Sequence, residues 1–179
     1  IDITDRKQAE EALRKSEERL SLTMEATNDG LWDWDLVSGV VYWNPQNYTL
    51  LGYEPDEFIV TYEKWRDLVH PGDLAVCEPI VQQSLQSGES FAVEFRFLRK
   101  DQTWLWILGR GKCVNRDANG ASLRMVGTHT DISDRKKAEF QLRESEERFR
   151  ALYENAPLAY QSLDNEGNIL QINETWCTM

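Results

Sequence analysis

Cysteine is scarce and badly placed for cross-linking. There are three in 179 residues, Cys77, Cys113 and Cys177, with no CxxC spacing and one thiol left over from any pairing. That excludes a disulfide framework and a cysteine-rich zinc site, and it fits a reducing, cytoplasmic setting. Long apolar runs are missing too. None approaches the ~18–20 residues that a membrane-spanning helix needs, so no membrane contact is expected in this region, although a longer parent can carry an anchor elsewhere. No basic-then-apolar signal segment stands at Ile1. Basic residues are the minority, 20 Lys and Arg against 31 Asp and Glu, for a net charge of −11. Without a clustered basic surface nucleic acid is not an expected partner. The phosphate cradles GxxxxGK[ST] and GxGxxG are absent as well.

What the chain does have is self-similarity at long range. Asp2-Ile3-Thr4-Asp5-Arg6-Lys7 returns as Asp131-Ile132-Ser133-Asp134-Arg135-Lys136, and thirteen of the 18 positions from Asp2 to Arg19 are identical at an offset of 129. Asp35 with Asp164 and Asn44 with Asn173 keep the register further on. Residues 1–4 therefore read as the end of a preceding unit and 5–20 as a linker helix. A complete unit follows at 21–133, then a second linker helix at 134–150 and the start of a further, truncated unit at 151–179. The tail offers two strands and the beginning of a helix, too little to close a core, so loose packing or a borrowed surface is expected there.

The repeated segment is helical in character. Residues 5–20 hold five acids and five bases with no Gly or Pro. Glu10–Arg14, Glu11–Lys15, Glu139–Arg143 and Glu144–Arg148 are (i, i+4) pairs in the favourable order. Thr4 and Ser133 stand where a hydroxyl caps a helix N-terminus. Ala9, Leu13, Ser16, Leu20 and Thr23 form a heptad-like seam, matched by Ala138, Leu142, Ser145, Phe149 and Leu152. A weak parallel coiled coil is the reading preferred, with a single solvated helix as the plainer alternative.

Between these helices the pattern is mixed. Leu31 to Leu36 alternates, with Trp32, Trp34 and Leu36 on one face and Asp33 and Asp35 on the other. Ser38-Gly39 turns the chain into Val40-Val41-Tyr42-Trp43. Pro45 to about Gln86 is helical, broken at Gly52, Pro55 and His70-Pro71-Gly72. Phe91, Val93, Phe95 and Phe97 line one face of a long strand. Thr103 to Leu108 is apolar on both faces and is expected to be buried on both. Asn119-Gly120 marks a hairpin before a last strand, Ser122 to Thr130.

These residues resemble a PAS domain with its C-terminal PAC motif. The likeness runs through Gly30-Leu31-Trp32-Asp33-Trp34-Asp35, Val41-Tyr42-Trp43-Asn44, Leu50-Leu51-Gly52-Tyr53, Trp65 to Asp73, Glu94-Phe95-Arg96, Lys100-Asp101 and Arg124 to Lys136. Gln102 departs from it, since the family usually has Gly in that turn. The resemblance implies an α+β PAS fold: a five-stranded antiparallel sheet in the order 2-1-5-4-3 with short helices on one face, flanked by linker helices. It implies a sensory, dimerising role in a multidomain signalling protein. Asp131, Ile132 and Ser133, and Asp2, Ile3 and Thr4 for the preceding unit, take the family's junction between last strand and output helix. Candidate pocket residues, from strand phase and family topology, are Trp34, Tyr48, Leu51, Trp65, Phe95, Ile107 and Met125. The plainer reading of the seven tryptophans is core and a dimer-facing sheet surface.

No catalytic or metal centre is expected. His70 and His129 lack the exposed helical setting of a phosphoacceptor and the position of a PAS haem ligand, and Cys77 and Cys113 lack the Asn-Cys-Arg-Phe context of flavin photosensors. The expected function is a sensory and dimerisation module, passing a ligand or partner signal through Asp131-Ile132-Ser133 and the linker helix to an output domain. The parent expected is a two-component sensor histidine kinase in a phosphorelay, with a diguanylate cyclase as alternative. A haem- or flavin-bearing redox or gas sensor and a pure spacer are the competing readings. Partners expected are a second copy, through linker helices and sheet face, the adjacent PAS and output domains, and a small-molecule ligand.

Overall fold

The computed structural model describes residues 3–177, which divide into two units, one up to Ser133 and one from Asp134 on. In the first, α1 (Ile3–Thr27) leads to β1 (Gly30–Asp35) and β2 (Val40–Trp43), then α2 (Pro45–Leu50) and β3 (Val60–Thr61). Next come α3 (Tyr62–Leu68), α4 (Pro71–Ser87), β4 (Phe91–Leu98), β5 (Trp104–Arg116) and β6 (Ser122–Asp131). The helix α5 (Ser133–Glu154) begins at the end of β6, and β7 (Gln161–Leu163), β8 (Ile169–Ile172) and α6 (Glu174–Cys177) complete the second unit. The expected Asp2 lies outside the described residues, as do the side chains of Ile3, Thr4, Leu20 and Thr23.

The main sheet is antiparallel in the order β3-β2-β1-β6-β5-β4. Its five long strands keep the expected order, and one strand is added. Val60–Thr61 pairs with Val40 and Val41 at the outer edge of β2, inside a stretch whose pattern reads as helix. Two residues carry no alternation to recognise.

Short helices and turns close one face. Asn44 caps α2 by accepting from the Asn47 amide, and Thr61 caps α3 through the Lys64 amide. At the start of α4 the His70 ring accepts from the Gly72 amide at 3.0 Å. There Asp73 takes two hydrogen bonds from the Arg96 guanidinium, at 2.8 and 2.7 Å, tying α4 to β4. The Arg96 bonds hold the Asp73 carboxyl below its ordinary range. Packed beneath these helices are Trp43, Tyr48, Leu51, Val60, Phe95, Phe97, Ile107 and Met125, all buried. Full burial of each large side chain contributes roughly 1.5–3 kcal/mol before entropy is set against it.

Two expectations give way. The run in β5 is buried on one face only: Leu105 and Ile107 point inward, while Trp104 is 42% exposed and Trp106 and Leu108 are half-buried. The Arg96 guanidinium lies 5.3 Å from the Trp106 ring, so the outer face carries a polar cover that an apolar run does not announce. The cap of α5 is Asp131 rather than Ser133. The Asp131 carboxylate accepts from the Ser133 amide at 2.8 Å, and the Ser133 hydroxyl instead accepts from the Trp106 amide at 3.3 Å. The helix α1 likewise begins at Ile3, ahead of Thr4.

Along the helices, Leu13, Phe140, Leu142, Phe149 and Leu152 are all exposed. Among the expected ion pairs Glu11–Lys15 forms, at 3.4 Å, while Arg14 turns to Glu11 and Glu18 and Arg143 to Glu147. These pairs are exposed and contribute little stability.

The second unit repeats the local bonding of the first. Asn44 Oδ1 accepts from Leu31 N and Asn47 N; 129 residues later Asn173 Oδ1 accepts from Tyr160 N and Trp176 N. Asp35 Oδ1 accepts from Val37 N, and Asp164 Oδ1 from Glu166 N. Asn173 is buried, yet Leu158, Leu163, Ile169 and Leu170 around it are exposed.

Gln102 keeps the glycine-like turn between β4 and β5 with φ at +66°, a left-handed conformation that costs a β-carbon roughly 1–2 kcal/mol. Gln102→Gly is expected to stabilise the first unit by up to about 1 kcal/mol, because the strain relieved exceeds the chain entropy added. An increased urea midpoint with an unchanged slope checks this, and a lowered midpoint refutes it.

Candidate functional site

The alternation of β1 turns Trp32 and Trp34 toward the helices, and β4 does the same for Phe91, Val93 and Phe95. Tyr62 and Trp65, three residues apart on α3, come down from above with Val81 of α4. Val41 and Trp43 of β2, Gly109 of β5, and Met125 and His129 of β6 complete the wall of a cavity of about 50 Å³. Its lining carries no Lys, Arg, Asp or Glu.

The rings are ordered in two groups. Trp34, Tyr62 and Trp65 form a ladder, with centroids 5.1 and 5.5 Å apart and planes inclined by 3° and 24°. The outer end of Tyr62 is tied down, its hydroxyl bonding Glu78 at 3.2 Å while Arg66 pairs with that carboxylate. Burial pushes the Tyr62 phenol up. The second group encloses His129, with Trp32, Trp43, Phe95 and Phe97 centred 5.1–6.1 Å from the imidazole.

Trp32 lies flat because two glycines leave it room, and a third makes room for Phe95. A β-carbon on Gly127 would stand 1.9 Å from the Arg110 carbonyl and 2.3 Å from the Trp32 ring. One on Gly111 would stand 2.6 Å from both Trp32 and Phe91, and one on Gly109 2.7 Å from Phe95.

His129 is neutral and its tautomer is fixed. The Asn47 amide donates to the Leu31 carbonyl at 2.6 Å, so its Oδ1 faces His129 Nδ1 at 2.9 Å and Nδ1 carries the proton. Burial among the rings pushes the imidazole down to about 3. The Nε1–H groups of Trp32 and Trp34 are buried with no acceptor among the described residues.

Of the residues predicted from sequence, Trp34, Trp65, Phe95 and Met125 line this cavity. Tyr48, Leu51 and Ile107 do not. Tyr48 bonds the Phe58 carbonyl at 3.0 Å and packs edge-on to Trp43. Leu51, at the end of α2, lines a separate shallow groove with Arg99 and Lys100. Ile107 faces inward but is fully covered by core. The residues missed, chiefly Trp32, Trp43, Tyr62 and His129, share strand or helix phase with those found: Trp32 with Trp34, and His129 with Met125. At the junction Ile132 is buried, its amide bonds the Trp106 carbonyl at 2.9 Å, and the Asp131 and Ser133 contacts described above flank it.

The wall does not fit a large cofactor. About 50 Å³ is well below the ~300 Å³ at which pockets for drug-sized ligands begin, and no cationic side chain stands on it for a phosphate or propionate. Cys77 is buried, with its thiol pushed up to about 11 by burial, the opposite of a reactive thiolate. Among the described residues no cluster of side chains is suited to a metal ion.

Comparison with known proteins places these features in company. The family described as the PAS fold matches residues 40–129, and one described as a PAS domain matches residues 147–179. An uncharacterized protein, y4lL, of Sinorhizobium fredii is 34% identical over 158 residues, 88% of this chain and 19% of its own length. The probable diguanylate cyclase DgcE of Escherichia coli is 27% identical over 173 residues, 96% of this chain and 15% of its own length. The chain thus spans under a fifth of these two curated relatives. A solved sensory box histidine kinase/response regulator from Burkholderia thailandensis superposes with a TM-score of 0.66 at 32% identity. That match covers 75% of this chain and 99% of the solved one.

Because the folded-state pKa of His129 lies below its unfolded value near 6.5, its neutral form supports the fold at neutral pH, and that support is lost as pH falls below about 6.5. Unfolding free energy should drop by about 2 kcal/mol between pH 7.5 and 5. Denaturation at the two pH values checks this, and His129→Phe should flatten the slope. An equal slope in that variant would assign the pH dependence elsewhere.

Proposed function

The chain belongs to the PAS family, and from that premise we propose that it is a sensory and dimerising module of a larger signalling protein. A ligand or partner signal received at the core of the complete unit, residues 21–133, passes through Asp131, Ile132 and Ser133 into α5 and on to an output domain. Residues 5–20 and 134–150 act as linker helices between successive PAS units, with their exposed apolar seams meeting those of a second copy. The tail from 151 begins the next unit, in line with the family match there and the repeated asparagine clasp. The parent is a sensor histidine kinase, by likeness to the Burkholderia protein; a diguanylate cyclase is the alternative, by likeness to DgcE. The module itself carries no catalytic role. None of its described helices is long and apolar enough to cross a membrane.

One observation carries the transmission reading. The first residue of α5 and the residue before it are both bonded to the backbone of Trp106, in β5. A shift of β5 or β6 therefore moves the start of the helix directly. In the full-length parent, Asp131→Ala should lower stability by only about 1 kcal/mol, the usual effect of losing a helix cap, yet remove the response of output activity to its stimulus. An Asp131→Ala parent that responds over the wild-type range would overturn the proposal and favour a spacer.

A further inference from the structure

Trp32 and Trp34 are two residues apart on one face of β1, and both line the cavity. Both keep an indole N–H out of water with no acceptor among the described residues. Such orphans are rare because each forfeits the hydrogen bond it made in the unfolded chain. The other polar groups of the wall are occupied: Tyr62 by Glu78, and His129 Nδ1 by Asn47. With the proton on Nδ1, His129 Nε2 is left with a lone pair. The residues of the wall thus carry two buried indole donors without an acceptor among the described residues, an imidazole lone pair on His129, aromatic faces and no charge.

We propose that the cavity takes a small, uncharged molecule bearing a hydrogen-bond acceptor, of the ketone, aldehyde or amide kind, held by the indole N–H groups of Trp32 and Trp34. The inference rests on the sensory reading above and names the chemistry of its ligand. An anion is disfavoured because its desolvation meets no cation on the wall. A pure hydrocarbon leaves both indoles unpaired. Size sets the upper limit, since a cavity of about 150 Å³ is what admits benzene and this one is about 50 Å³.

The test uses the whole chain with ¹⁵N-labelled tryptophan and three probes: acetone, acetate and xenon under pressure. Acetone should move the Trp32 and Trp34 indole proton signals downfield and saturate, while acetate leaves them in place. Trp34→Phe should weaken acetone about tenfold, the loss of one hydrogen bond, without weakening xenon, for which the smaller ring only adds room. If that variant does not fold, the wild-type shifts alone decide. Xenon entering while acetone leaves both indoles unmoved would overturn the ligand class and spare the sensory reading. Acetate binding more tightly than acetone, or water held on both indoles that acetone cannot displace, would also overturn the ligand class. Exclusion of every probe from a dry cavity would overturn the ligand class and leave a partner signal as the input to the sensory module.

Discussion

The side-chain amide of Asn47 is the polar constraint on which the complete unit depends. It sits at the start of α2, donates to the Leu31 carbonyl of β1 and faces His129 of β6 with its oxygen. One buried group therefore joins a helix to two neighbouring strands. Gly30 is required beneath it, since a β-carbon there would stand 2.1 Å from Asn47 Oδ1. Removing the amide would strand a buried imidazole N–H, at about 1–3 kcal/mol, and leave the Leu31 carbonyl with the Asn44 amide as its donor. The bond also selects the His129 tautomer, and so fixes which imidazole nitrogen can accept from anything that enters the cavity.

Around that polar knot the interior is a problem of volume. The aromatic side chains on the inner face exceed what a sheet with a β-carbon at every position could hold. Gly109, Gly111 and Gly127 resolve this by baring the backbone of β5 and β6, so that Trp32, Phe91 and Phe95 rest on it. The cavity survives because the ladder of Trp34, Tyr62 and Trp65 is held from outside, through the bond from Tyr62 to Glu78, and does not collapse onto this floor. Tight packing would otherwise favour filling the space.

This division explains what the sequence could reveal. Alternation in β1 and β4 and the hairpin at Asn119-Gly120 are local signals, and local signals located the five long strands and the inward faces of β1 and β4. The identity at an offset of 129 marked out two units with the same Asn and Asp contacts. The two-residue β3 is too short to carry a pattern, and its place is set by pairing with β2. The outward face of β5 misled because Trp106 is apolar by composition while Arg96, on the adjacent strand, covers it. Tyr48, Leu51 and Ile107 show the same limit at the candidate site. Phase indicates that a residue points inward, but whether it meets a cavity or another side chain depends on where the glycines and the α3 ladder leave space. His129 was legible as a strand residue, and its role followed only once Asn47, 82 positions away, was brought beside it.

On the transmission reading proposed above, the same strand is a direct physical route between cavity and helix. Met125 and His129 border the cavity, and Ile132 and Ser133 lie further along the same chain segment. The four residue steps from His129 to Ser133 span roughly 13 Å in extended chain. No relay of loosely packed side chains is needed over that distance. The strand β6 is hydrogen-bonded along its length to β5, and Trp106 of β5 holds both Ile132 and Ser133 through its backbone. A molecule that wedges Trp32 away from the glycine floor presses on β5 and β6 together, because Gly111 belongs to one and Gly127 to the other. Rigid strands do not absorb such a displacement over so few residues. On the transmission reading it is carried to their ends, at the single-residue break at Ile132 between strand and helix.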